Sequence, residues 1–171
     1  TTWLEKETGI PVLGILPWLN EIFPPEDSLD IFNMKQIKKS AEIEIGIIKL
    51  PRISNFSDFH PLFSEPSVSI RWIDIGMNFG QPDVLIIPGS KQTIKDLETL
   101  NKSGLVNQIK EYANNGGNIF GICGGLQMLG ESLNDPYRIE SENDSNSPIL
   151  SKGIDLLPIT TTFKQKKFNL K

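Results

Sequence analysis

Apolar residues along the chain fall into short blocks separated by turn-forming residues, the pattern of strands that are buried within a sheet. The clearest is Asp83-Val84-Leu85-Ile86-Ile87, apolar without alternation and stopped by Pro88-Gly89, which predicts a central parallel strand buried on both faces. Asn118-Ile119-Phe120-Gly121-Ile122 repeats that arrangement between Gly116-Gly117 and Cys123-Gly124-Gly125. Glu44 to Leu50 is β-branched and strand-sized, and Ser69 to Ile75 alternates with period two, as a half-buried or edge strand does. Near the start, Gly9 to Trp18 holds an apolar run bounded by prolines that predicts a buried strand, preceded by a helix end over Thr2 to Thr8 with Gly9 just past its C-cap.

Between the last two central strands, Ser103 is a candidate N-cap for a helix carrying Leu105, Ile109 and Tyr112 or Ala113 on one face. Strand, helix, strand in that order implies a crossover and a parallel sheet, so the expected class is α/β, an open, mainly parallel sheet flanked by helices. Phe23-Pro24-Pro25-Glu26-Asp27-Ser28 begins a linker with polar residues continuing to about Glu42, and the stretch beyond Leu129 through Glu140 to Pro148 is expected to be loop.

Composition narrows the function classes. Seventeen Lys and Arg against 21 Asp and Glu give a net charge of −4, leaving no cationic excess to bind phosphates, so no nucleic-acid partner is expected. One cysteine excludes an internal disulfide or a Cys-based zinc site, and one histidine excludes a multi-His metal site; no metal is expected in this chain. No apolar stretch reaches the roughly 18–20 residues of a membrane span, and the first residues lack the features of a secretion signal. A cytoplasmic protein without membrane partners is the expectation.

The strongest chemical signal is Gly121-Ile122-Cys123-Gly124-Gly125, between a buried strand and apolar Leu126-Gln127-Met128-Leu129. A nucleophile on a tight strand-to-helix turn needs small residues on both sides, because the bent backbone brings its flanks together. Cys123 is thus either a small buried filler or a nucleophile, and the turn favours the second. In open α/β sheets ligands collect at the carboxyl ends of the strands. Pro88-Gly89-Ser90-Lys91 occupies such an end, so an amide of Gly89 or Ser90 could join that of Gly124 in facing an oxyanion. The loop from Leu50 to Leu62 is either a packed connection or a binding loop, and His60 within it is a candidate partner for Cys123 whose placement sequence does not fix.

Taken together, Ile48 to Phe59 (Ile-Lys-Leu-Pro-Arg-Ile-Ser-Asn-Phe-Ser-Asp-Phe), Pro88 to Leu97, Gly121 to Gly130 and Asp135-Pro136 resemble the glutamine amidotransferase domain of the cobyric acid synthase family. Gly153 to Phe163 is similar to the segment that follows in that family, and Thr8 to Trp18 to the end of its synthetase domain. The resemblance implies a class I glutamine amidotransferase-like, flavodoxin-like fold, truncated at the C-terminus. It divides the chain into residues 1–35, the end of an ATP-dependent, dethiobiotin synthetase-like domain plus linker, and 44–171, an incomplete amidotransferase domain. Cys123 would form a thioester with glutamine, with Gly89, Ser90, Gly124 and Gln127 around the oxyanion and substrate.

The implied reaction uses glutamine to amidate carboxylates b, d, e and g of adenosylcobyrinic a,c-diamide. ATP and Mg²⁺ belong to the synthetase half, and no cofactor is expected in this chain, where no Gly-x-x-x-x-Gly-Lys-Ser/Thr loop occurs. His60 stands where the family pattern has Asp, so it is not the family's catalytic histidine, which lies downstream of the Cys elbow. No histidine follows Cys123, and the 171 residues alone are therefore expected to hydrolyse little glutamine. The alternatives are another class I amidotransferase such as cobyrinic acid a,c-diamide synthase, against which the Pro51 to Phe59 loop argues, and a non-catalytic binding or scaffold domain that keeps the elbow.

Overall fold

In a computed structural model, residues 2–15, 41–140 and 149–165 are described. Helix α1 (Thr2–Thr8) ends as the sequence predicts, with Gly9 at φ +67° and its N–H bonded to the Glu5 carbonyl at 2.9 Å. Residues 10–15 do not form the expected buried strand. They adopt no regular structure, and Leu13 is 98% exposed and Ile15 73%. A strand buries its side chains only when a neighbour satisfies its backbone, and the described residues supply none here. Residues 16–18 of that expected strand, nearly all of the expected linker, and the 141–148 part of the expected loop lie outside the described residues.

Four strands form one parallel sheet in the order β2-β1-β3-β4: β1 (Ile43–Ile48), β2 (Val68–Ile73), β3 (Val84–Ile87) and β4 (Asn118–Gly121). Because side chains alternate across a strand, β1 sends Ile45 and Ile47 to one face and Ile48 to the other; β3 divides Ile86 from Leu85 and Ile87 in the same way. The Ile47 face packs on a 3₁₀ turn (Phe56–Phe59) and α2 (His60–Ser64) through Phe59 and Phe63. The opposite face is covered by α3 (Thr93–Lys102) and α4 (Leu105–Asn114), which bury Ile94, Leu97, Leu100, Leu105, Ile109 and Tyr112. The Tyr112 hydroxyl donates to the Pro82 carbonyl at 2.8 Å, and burial pushes its pKa up.

β2 is an edge strand and β3 a central one, as their patterns indicate. β4 departs from expectation. It is the outer strand of the described sheet, and on the face to which Phe120 projects that side chain is 59% exposed. The cap of α4 differs too: Gly104, at φ +79°, occupies the N-cap, while the Ser103 hydroxyl donates to the Leu100 carbonyl and closes α3. Beyond α5 (Gly124–Met128), a second sheet of order β6-β5-β7 joins β5 (Ser132–Asp135), β6 (Ile149–Lys152) and β7 (Thr160–Thr162). Part of the expected loop is thus strand. β5 buries Leu133 as its one apolar side chain, too little for a hydrophobic pattern to reveal it.

Candidate active site

The turn that follows β4 brings the chain back over the sheet. Ile122 extends the ladder by donating to the Ile87 carbonyl at 3.0 Å, and Cys123 then reverses direction at φ 49°, ψ −109°. This lies outside the regions open to ordinary L residues and costs on the order of 1–3 kcal/mol. The Cys123 carbonyl accepts from Gln127 N–H at 3.1 Å as α5 begins. Small flanks are a steric necessity. A Cβ on Gly125 would lie 2.0 Å from the Ile87 carbonyl oxygen, and one on Gly121 2.8 Å from the Leu126 backbone. Cys123 itself is exposed, so it is not a buried filler.

The loop after β3 faces this turn. A Cβ on Gly89 would come within 3.7 Å of the Cys123 Cβ, and one on Gly124 would stand 3.1 Å from both Ser90 N and Thr93 Oγ1. The structure therefore brings Gly89, Ser90, Gly124 and Cys123 together. Gln127 lies one turn into α5, its backbone bonded to Cys123. Ile53 and Ser90 form an antiparallel bridge whose hydrogen bonds flank the pair: Ser54 N–H donates to Gly89 O at 2.9 Å and Lys91 N–H to Arg52 O at 2.8 Å. This leaves the Ser90 N–H uncommitted. Among the described residues neither it nor the Gly124 N–H donates a hydrogen bond.

The Ser90 side chain is engaged elsewhere. Its Oγ donates to Asp96 Oδ2 at 2.7 Å and accepts from Gln92 N–H at 3.0 Å. Asp96 is fully buried and also accepts from Arg52, through Nη1 at 3.0 Å and the backbone N–H at 3.3 Å. One carboxylate thus fastens the Leu50-to-Phe56 loop to the loop carrying Gly89 and Ser90, which makes that part of the segment a packed connection. The same segment also lines an open cleft of about 820 Å³ with Lys49, Pro51, Arg52, Phe56 and Lys91. Neither Cys123 nor Gly124 lines it.

His60 opens α2, which packs on β2, the far edge strand from β4. No hydrogen bond joins it to Cys123 among the described residues. Sequence reasoning also passed over Asp96, Thr93 and Glu140. Asp96 had a readable signal: it stands at i+3 from Thr93 and one residue before Leu97, on the stripe of α3 that faces the core. Thr93 N–H donates to Glu140 Oε2 at 2.6 Å. Burial, with smaller contributions from Asp135 and Asp96, raises the Glu140 pKa, and the Thr93 bond only partly offsets it.

The sequence model of a family described as the CobB/CobQ-like glutamine amidotransferase domain matches residues 44–171. A cobyric acid synthase of Prochlorococcus marinus (strain NATL2A) is 69% identical over 166 residues, covering 97% of this chain and 33% of that protein. One from Synechococcus sp. (strain CC9605) is 51% identical over 165 residues, covering 96% of this chain and 32% of that protein. The chain spans about a third of the length of the curated relatives it matches. The structure of PurLQS from Thermotoga maritima aligns with 52% of this chain and 43% of its own, at 17% identity and a TM-score of 0.44.

Proposed function

Because the chain belongs to the CobB/CobQ-like glutamine amidotransferase family, we propose that it supplies the glutaminase centre of a corrinoid amidating enzyme, with Cys123 as nucleophile. The observation that carries this reading is the strained, exposed Cys123 beside two uncommitted amides, Gly124 N–H and Ser90 N–H. The Cys123 thiolate attacks the side-chain amide carbon of glutamine, and the oxygen that gains charge is held by those two donors. Collapse breaks the carbon–nitrogen bond. The proton taken from the thiol is returned to the departing nitrogen, which leaves as ammonia, and water then opens the thioester to glutamate. Glutamine and water give glutamate and ammonia. Gln127, at the start of α5, is assigned to the glutamine pocket.

The family resemblance gives the proton-shuttling base to a histidine downstream of the Cys elbow, and His60, the one histidine of these 171 residues, precedes Cys123. ATP and Mg²⁺ are assigned to the ligation half of such an enzyme. Among the described residues no three His, Cys, Asp or Glu side chains are arranged to hold a metal ion. Among the described residues no helix is long and apolar enough to cross a membrane. The corrinoid acceptor rests on the names of the relatives, cobyric acid synthases, and on the Pro51 to Phe59 loop.

The test supplies the whole polypeptide with glutamine, ATP and adenosylcobyrinic a,c-diamide. Mass spectrometry is expected to find four added amides, at carboxylates b, d, e and g. Activity on the a and c carboxylates of the parent acid alone would instead identify a cobyrinic acid a,c-diamide synthase.

A further inference from the structure

The loop bearing Gly89 and Ser90 is held by Arg52 and Asp96, and α3, which follows it, meets the segment that follows β5. Buried Asp135, at the end of β5, folds that segment into a compact turn, its Oδ1 and Oδ2 each accepting at 2.8 Å from the N–H groups of Ile139 and Glu140. The turn aims Glu140 at α3, where its carboxylate takes the Thr93 N–H at 2.6 Å. Thr93 is nearly fully buried, and its Oγ1 stands 3.1 Å from the point where a side chain on Gly124 would begin. One backbone group therefore connects Glu140 to the residue that abuts Gly124.

We propose that Glu140 is a positioning residue for glutamine hydrolysis: by holding the Thr93 N–H, braced by Asp135, it fixes the spacing of the Ser90 and Gly124 amides around the oxyanion. The proposal rests on the glutaminase reading above. A carboxylate suits this task because a charged acceptor on a backbone N–H forms a shorter and stronger bond than a neutral one. Among the described residues Glu140 makes no ion pair with a lysine or arginine, and its carboxylate is engaged by Thr93, through the backbone N–H and with a smaller contribution from the side chain. A donor pair misplaced by a fraction of an ångström stabilises the oxyanion less while leaving ground-state glutamine binding almost untouched.

The test compares Glu140→Ala, Glu140→Gln and Cys123→Ala in the whole polypeptide, each assayed with glutamine and with ammonia as nitrogen donor. Glu140→Ala is expected to lower kcat for glutamine hydrolysis about tenfold while KM for glutamine stays within about twofold. Ammonia-driven amidation stays at the wild-type rate, which shows that the variant is folded. Glu140→Gln, which keeps a carbonyl acceptor for Thr93, restores at least half of kcat. Three results overturn the proposal: wild-type kcat in Glu140→Ala, an equal loss with both nitrogen donors, or no rescue by Gln. If Cys123→Ala retains glutamine-driven activity, the glutaminase reading falls, and the proposal with it.

Discussion

Ser90 presents its backbone nitrogen 3.1 Å from the point where a side chain on Gly124 would begin. Two loops from the carboxyl ends of neighbouring parallel strands, β3 and β4, thus meet with an amide each beside Cys123. The absence of a side chain at position 124 leaves room for that approach without crowding.

Gly124→Ala puts a methyl group against Ser90 N and Thr93 Oγ1, both at 3.1 Å, between the two amides proposed to hold the oxyanion. The neighbours need to give by only tenths of an ångström, so the fold should survive while glutamine hydrolysis falls by about 10²-fold or more. Gly125→Ala differs in kind. Its methyl would lie 2.0 Å from the Ile87 carbonyl oxygen, a collision with backbone, and the variant should be insoluble or melt far below wild type. Thermal denaturation alongside a glutaminase assay separates the two.

Removing the Asp96 carboxylate unfastens the Arg52 loop from Ser90. Asp96→Ala leaves the partly buried Ser90 Oγ and the Arg52 backbone N–H without their acceptor, and should cost on the order of 1–2 kcal/mol in urea denaturation. The Arg52 guanidinium is partly exposed and recovers water, which keeps the loss below that of a fully buried ion pair.

Glu140 has a pKa raised above its ordinary value of 4.5, chiefly by burial. Its ionised form is therefore disfavoured by folding, and the stability it contributes is present below about pH 4.5 and lost as pH rises through the folded value. Glu140→Gln, which mimics the protonated acid, is expected to melt higher than wild type at pH 7, with the difference closing toward pH 4. Scanning calorimetry across that range checks the sign.

The strands of the parallel sheet were legible because each carries enough branched apolar residues to register as a block: Ile43 to Ile48 and Val84 to Ile87 stand out against polar flanks. The turn at Cys123 was legible because Gly121, Gly124 and Gly125 are demanded by close approach. The second sheet was not, since Thr160 to Thr162 and Ser132 to Asp135 are nearly all polar and held by pairing rather than by a hydrophobic face. Nor were the contacts of Glu140 with Thr93 and of Arg52 with Asp96, which join residues 47 and 44 positions apart. Residues 10–15 misled for the converse reason: an apolar run predicts burial only where a partner surface exists.

The most direct measurement of the central claim is mass spectrometry of the whole polypeptide after incubation with a glutamine-mimicking alkylator. The account predicts one label per chain, on Cys123, prevented by excess glutamine and absent from Cys123→Ala. Labelling that glutamine does not prevent, or an unmodified Cys123, would contradict it.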